Sequence, residues 1–266
     1  MKVRKLIALV LTGVLLILLG KWGYARVHDA LVLPGCTITT EAEEFTLDTE
    51  QSANAATIAA VAYRRGIPER AITVAFTAAQ QESKLRNLDY GDRDSLGIFQ
   101  QRPSQGWGDR ESILDPTRAT SRFYSALINI PDWEKLPLAQ AAQEVQRSAA
   151  GSAYEKWEGR ALALTQALND PSLITCRFHK FGTQVHTPAA DVIERASKEW
   201  GRVDAKHIGR VIRITSRQRT HLAIWFMTHA SELGVTQLRW NQIEWDRYGI
   251  KSKNSNKVST LTVTLQ

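Results

Sequence analysis

Glu82 has the clearest potential for acid chemistry in this sequence. It ends a stretch with helical periodicity and falls on the same side as the apolar residues. Those apolar residues are Ile72, Ala75, Phe76 and Ala79. A carboxyl group held against such a face loses water, which raises its pKa and suits a general acid for a glycosidic bond. The spacing also fits a plain ion pair of Glu82 with Lys84 or Arg86.

A long polar loop follows this glutamate. Residues 87–108 are rich in Gly, Asp, Asn, Ser and Pro, with at most a short strand at 96–100, and loops of this length in compact domains are usually functional. Asp92 and Asp94 are candidates for the second carboxylate that glycosidases use. Their alternative role is to cap turns.

Three segments around the glutamate resemble the superfamily of soluble lytic transglycosylases and goose-type lysozymes. The segments are residues 81–85, 97–100 and 113–116, the last followed by a helix with Tyr124. In that superfamily a Glu-Ser pair ends a helix and a Gly-Leu-Met-Gln-like segment comes later. The resemblance covers about half of the chain. It implies a lysozyme-like α-helical domain that cleaves peptidoglycan, with Glu82 acting as acid and then as base.

The resemblance and the local spacing together predict a set of glycan contacts. The set is Ser83, Gly97, Phe99, Gln100, Trp107, Gln143, Gln146 and Tyr154. Trp107 could stack on a sugar or belong to the core, and Gln143 and Gln146, one helical turn apart, could bind sugar groups or face solvent. The superfamily has a tyrosine in an Ala-Tyr-Asn-Ala-Gly-like segment, which is missing from residues 142–148 here. Tyr154 is the candidate substitute.

Two mechanisms and a non-enzymatic role are compatible with these motifs. A lone glutamate suits attack by the muramic acid hydroxyl within the substrate, which gives an anhydro product, and this is the mechanism we favour. A water positioned by Asp92 or Asp94 would instead suit hydrolysis. The missing tyrosine also permits a non-catalytic cell-wall-binding or assembly protein on a lysozyme-like scaffold.

The N-terminus carries the pattern of an export signal. Residues 1–5 are basic, residues 6–20 are apolar, and two aromatic residues follow. This pattern predicts that residues 1–26 form either a signal anchor or a cleaved signal peptide. The rest of the chain is then extracellular, on a single-pass membrane anchor or secreted. Exported thiols tend to be oxidised, which predicts a disulfide between Cys36 and Cys176, the two cysteines of the chain.

The expected fold is an all-α lysozyme-like domain over residues 48–176, after a linker over 27–47. A small α+β accessory domain over 177–266 follows. That last region carries 15 Lys and Arg against 7 Asp and Glu. Outside the cell such a basic surface fits peptidoglycan or another anionic wall polymer better than nucleic acid. The predicted partners are such a polymer and, through the N-terminal helix, the membrane.

Five of the six histidines follow Cys176, which raises the question of zinc. The run from His207 to Arg213 faintly resembles D-Ala-D-Ala peptidase-like modules, in which a His-x-x-Gly-Arg-x-x-Asp run binds the metal. Here the run is one residue short, and Arg213 stands where the aspartate would bind. Because a cation cannot replace a carboxylate ligand, we predict a degenerate module without metal or cofactor.

Overall fold

The computed structural model describes residues 33–147, 152–178 and 186–266, and the backbone alone over residues 251–258. The signal anchor or signal peptide predicted over residues 1–26 lies outside these ranges. Within them, no helix combines the length and the apolar character that a membrane span requires.

The first part of the described chain combines two strands, a series of helices and a third strand. The strands are β1 (Gly35–Thr39), β2 (Glu44–Asp48) and β3 (Ile174–Arg177). The longer helices are α1 (Thr49–Arg65), α2 (Glu69–Glu82), α4 (Pro116–Ile128), α5 (Leu138–Gln146) and α7 (Glu158–Asn169). The single-turn helices are α3 (Arg110–Ile113) and α6 (Ser152–Glu155), and a 3-10 turn covers Pro103–Gln105.

Local sequence signals explain where the two central helices begin and end. The Asp48 carboxylate accepts a hydrogen bond from the backbone N–H of Gln51, whose side chain accepts one from the N–H of Asp48, so α1 starts with a capping box. Gly66 ends α1 in the left-handed conformation, with φ of 63°. Pro68 fixes the entry to α2. Both helices are rich in buried alanine, which lets them pack closely at the centre of the fold.

The prediction of an all-α domain is wrong, because an antiparallel sheet packs against these helices. Its strand order is β2-β1-β3, and β1 and most of β2 fall within residues 27–47, which were predicted to be a linker. Ile38 and Leu47 point into the core from this sheet. Each strand has four or five residues, and β3 joins β1 from the far end of the helical segment. A short strand with only a few alternating apolar and polar residues, paired with a strand far away in the chain, is hard to recognise from the sequence.

The predicted disulfide is confirmed. Cys36 and Cys176 lie directly opposite each other on β1 and β3, and their sulphur atoms are bonded across a sequence separation of 140 residues. The disulfide therefore ties the two ends of the helical segment together within the first sheet.

The last part of the described chain is a second antiparallel sheet with its own helices. Its helices are α8 (Ala189–Trp200), α9 (Arg219–Thr228) and α10 (Ala230–Leu233). Its strands are β4 (Asp204–Ile208), β5 (Val211–Thr215), β6 (Val235–Asp246) and β7 (Gly249–Leu265), in the order β4-β5-β7-β6. Helix α9 packs against both β6 and α1, so the buried residues of the two parts form one continuous core.

Candidate active site

The end of α2 places Glu82 at a sharp change of chain direction. Glu82 is the last helical residue, and Lys84 and Leu85 follow with left-handed φ values of 57° and 65°. Ser83 is buried, and its hydroxyl donates a 2.7 Å hydrogen bond to the carbonyl oxygen of Ile98. This bond fixes the helix end against the Gly-hydrophobic-hydrophobic-Gln segment, so Ser83, which was predicted to contact glycan, contacts the protein itself.

That segment is a tight turn rather than the short strand that the sequence allowed. Leu96 and Gln101 form an isolated antiparallel bridge, and the chain reverses between them. Gly97 has φ of 76°, and a side-chain Cβ there would lie 2.7 Å from the carbonyl oxygen of Ile113. Both facts require glycine at this position.

The carboxylate of Glu82 is held by residues from two other elements. The Tyr154 hydroxyl, on α6, donates a 2.5 Å hydrogen bond to Oε1 of Glu82. The side chain of Gln146, at the end of α5, also hydrogen-bonds to Glu82, and its amide donates a 2.6 Å bond to the carbonyl oxygen of Phe99. Gln146 therefore links the carboxylate to the turn after Gly97.

The protonation of Glu82 reflects opposing influences. The residue is partly exposed, and the burial of its carboxyl group raises the pKa above its usual range. The hydrogen bonds from Tyr154 and Gln146 and the charge of Lys84 lower the pKa, but by less. A carboxyl group with a raised pKa that remains open to solvent on one side has the properties of a general acid.

The ion-pair explanation for Glu82 does not hold. Arg86 pairs with Asp48 and with Glu50, whose Oε2 lies 3.0 Å from Nη1 of Arg86. The ammonium of Lys84 donates to the carbonyl of Gln80 and lies 4.1 Å from the ring centroid of Trp157. Among the described residues, neither cation lies within ion-pair distance of the carboxylate.

Sequence reasoning missed Trp157, which belongs to the same cluster. Its indole N–H donates a 2.9 Å hydrogen bond to the side-chain oxygen of Gln81, the neighbour of Glu82. The ammonium group of Lys84 lies over the Trp157 ring in a cation–π contact. The spacing of three residues from Tyr154 to Trp157 was a usable signal, since such residues share one side of a helical turn.

The two aspartates of the loop have other surroundings. Asp94 accepts hydrogen bonds from the guanidinium of Arg102 at 2.7 Å and from the backbone N–H of Ser104 at 2.8 Å, which hold its pKa well below the usual range. Asp92 is highly exposed, and its carbonyl accepts from the N–H of Ser95 in a turn. Asp94 therefore stabilises the loop through its side chain, whereas Asp92 does so through its backbone carbonyl, and its carboxylate lies 4.0 Å from Nε of Arg93.

Three more of the predicted glycan contacts lie in or near this region, and two of them, Gln100 and Phe99, make contacts within the protein. The Gln100 amide donates to the carbonyl oxygens of Tyr90 and Gly97, so it closes the loop on itself. The Phe99 ring is buried and stacks on Phe123 with a centroid distance of 4.5 Å. Gln143 is partly buried on α5, one turn before Gln146.

Trp107 lines a separate cavity of about 460 Å³ between the 102–108 segment, α4 and α5. Arg122 and Val145 also face this cavity. Val145 immediately precedes Gln146 on α5, so the cavity and the Glu82 cluster lie against the same helix end. The indole of Trp107 is partly exposed, which leaves surface for a ligand.

The histidine run of the last domain shows no metal site in the described residues. No group of three His, Cys, Asp or Glu side chains is arranged to hold an ion within those ranges. His207 and Arg213 lie on the adjacent strands β4 and β5, and both are exposed.

Compared with known proteins, the chain matches no family model and no curated protein sequence. The resemblance of the segments around Glu82 to lytic transglycosylases therefore stays a prediction from the sequence.

Proposed function

We propose that this protein cleaves the glycan strands of peptidoglycan, with Glu82 as the general acid and base. The observation that carries the proposal is the state of the Glu82 carboxyl group. It has a raised pKa, lies at a helix end beside a glycine turn, and is oriented by Tyr154 and Gln146. In the proposed reaction its proton passes to the glycosidic oxygen as the bond to the sugar breaks.

Tyr154 takes the place of the tyrosine that the superfamily motif would supply. Its phenol donates a hydrogen bond to Oε1 and so fixes the orientation of the carboxyl group. A fixed carboxyl orientation matters because general acid catalysis requires hydrogen-bond reach to the leaving oxygen.

A lyase reaction agrees better with the surroundings than hydrolysis. Hydrolysis by this fold would call for a second carboxylate or a positioned water, and Asp94 is already engaged by Arg102 and Ser104. With Glu82 alone, the same carboxylate can accept the proton of the muramic acid hydroxyl as that hydroxyl attacks the anomeric carbon. The bond from the anomeric carbon to the leaving sugar is then replaced by a bond to the attacking oxygen of the same sugar, and this internal acetal is the anhydro product.

The second candidate is a non-catalytic wall-binding protein. It is favoured by the role of Gln100, whose amide closes the loop on itself although the superfamily resemblance assigned this residue to a sugar subsite. A scaffold that retains Glu82 for stability would bind glycan without turning it over.

Incubation of the wild-type protein with purified peptidoglycan, followed by mass analysis of the soluble products, distinguishes these outcomes. Anhydro-muramic ends are expected for the lyase, and reducing ends would show a hydrolase. Cosedimentation with peptidoglycan without any soluble product would support the binding protein and contradict the enzymatic proposal.

A further inference from the structure

The second sheet presents a row of cations across its solvent face. Lys206 on β4 lies opposite Arg213 on β5, Arg213 lies opposite Thr262 on β7, and Thr262 lies opposite Arg239 on β6. The three basic residues are exposed, whereas their strand neighbours Ile212, Ile214 and Leu238 are buried on the other face. The row therefore runs perpendicular to the strands across the whole sheet.

Two of these cations lack a balancing charge. Neither Lys206 nor Arg213 forms an ion pair with a carboxylate in the described part of the chain, while Arg239 lies 3.2 Å from Glu244. Like charges placed directly opposite on neighbouring strands destabilise a sheet. Because neither cation is engaged in an ion pair within the described residues, both are available to an external anion.

The surroundings of the row limit the shape of that anion. Asp204 lies one position along the same face of β4, and Glu244 flanks Arg239, so carboxylates border the row and keep the positive strip narrow. Thr215 and Thr260 offer hydroxyl donors beside it, in a surface depression of about 360 Å³ that Lys206 and Arg213 also line. Four strands spaced by about 4.8 Å give the strip a length of roughly 14 Å.

We propose that this strip, defined by Lys206, Arg213, Thr262 and Arg239, binds a linear phosphodiester polymer that lies across the strands. Lysine, arginine and threonine side chains are the usual protein contacts of backbone phosphates. A flat lipid surface would favour a broad basic patch, which Asp204 and Glu244 interrupt. A nucleic acid would favour aromatic side chains for its bases, and the residues of the strip and its flanks include none.

This proposal goes beyond the proposed function and is independent of turnover at Glu82. Its test is therefore run in the Glu82→Gln background, where cell walls remain intact. Full-length protein is sedimented with purified cell walls before and after hydrofluoric acid treatment, which removes phosphodiester-linked polymers and leaves the glycan. The compared variants are Lys206→Gln/Arg213→Gln and the control Lys135→Gln/Arg93→Gln, which removes two exposed cations elsewhere.

We expect acid treatment and the Lys206/Arg213 double substitution each to weaken binding roughly 10- to 30-fold, with the control pair unchanged. Binding of inorganic polyphosphate should also depend less on salt in the Lys206→Gln/Arg213→Gln variant. The negative slope of log affinity against log salt concentration should become less steep by about 1.4, because two phosphate contacts are lost. The proposal would be overturned if the two double variants bound untreated walls equally well and if acid treatment of the walls did not weaken their binding.

Two further probes oppose the alternatives. If the two double variants differ in affinity for vesicles of phosphatidylglycerol and phosphatidylcholine but not for cell walls or polyphosphate, the strip binds membrane and the proposal fails. If single-stranded DNA binds more tightly than polyphosphate of equal charge, the strip binds nucleic acid and the proposal also fails. Thermal melting checks folding, and the Lys206/Arg213 variant should melt no lower than the control, since the like-charge opposition is relieved.

Discussion

At the residue scale, the chemistry of Glu82 depends on a balance between burial and hydrogen bonding. Burial favours the protonated form, and the phenol of Tyr154 favours the ionised form because it donates to Oε1. Under the proposed function, this balance sets the pH at which the acid still holds its proton.

Replacement of Tyr154 by phenylalanine should shift that balance in a defined direction. The variant loses a hydrogen bond to the ionised carboxylate, so the pKa of Glu82 should rise further. The alkaline limb of the pH–rate profile should move to higher pH, while the maximal rate falls about tenfold because the carboxyl group is less well oriented. The pKa can be followed by carbon NMR of labelled glutamate.

Tyr124→Phe is the matched control, since it removes a 3.0 Å hydrogen bond from a buried tyrosine to the carbonyl of Ile58. It should lower stability and leave the Glu82 titration in place. A Tyr154→Phe variant with an unchanged or lower Glu82 pKa would contradict the assignment.

Some residues of this site could be predicted from the sequence and others could not. Glu82, Ser83 and Gln146 could be selected because their helical spacing or their motif is local. For Asp94 the sequence left catalysis and turn capping open, because its partners Arg102 and Ser104 depend on the path of the loop. Trp157 was overlooked because a tryptophan among helical residues is most often a core residue.

At the element scale, the turn after Leu96 should be sensitive to substitution. Gly97→Ala places a Cβ 2.7 Å from the carbonyl oxygen of Ile113 at a left-handed φ, and we expect a loss of about 2–3 kcal/mol in the free energy of unfolding. Gly106→Ala also has a positive φ, but open space surrounds its Cβ, so about 1 kcal/mol is expected. Urea unfolding measures both.

An equal loss in these two variants would show that the close packing of the turn on Ile113 is unimportant. A larger loss at Gly97, together with a fall in the proposed cleavage rate, would connect the turn to the position of the Glu82 carboxyl group.

The helices and the sheets differed in how well the sequence revealed them. Proline, glycine and capping residues mark the starts of α1, α2 and α4 and the end of α1, because capping is a local interaction. The strand β1 escaped prediction because its partners β2 and β3 come from opposite ends of the helical segment. Pairing across such a distance has no local signature.

At the scale of the whole molecule, a buried histidine joins the two parts of the fold. His229, at the end of α9, stacks on Trp225 and lies 3.4 Å from the hydroxyl of Thr57 on α1. Burial lowers its pKa to about 4, so the folded state holds it neutral. The unfolded value is near 6.5, and this contribution to stability is therefore present above pH 6.5 and lost as the pH falls towards 4.

His229→Gln should remove that part of the pH dependence. Between pH 7 and pH 4.5 the free energy of unfolding of the wild type should fall by about 1–3 kcal/mol more than that of the variant. His207→Gln is the control, since His207 is exposed and should leave the difference unchanged. Parallel pH curves for wild type and His229→Gln, measured by urea unfolding, would contradict this role.

The role of Glu82 is tested by the initial rate of soluble muropeptide release from purified peptidoglycan, measured for wild type, Glu82→Gln and Glu69→Gln. Glu69 begins the helix that Glu82 ends, so the control carries the same change at the other end of α2. We predict a fall of at least about 100-fold for Glu82→Gln and a wild-type rate for Glu69→Gln. Equal rates for wild type and Glu82→Gln would show that Glu82 is not the general acid.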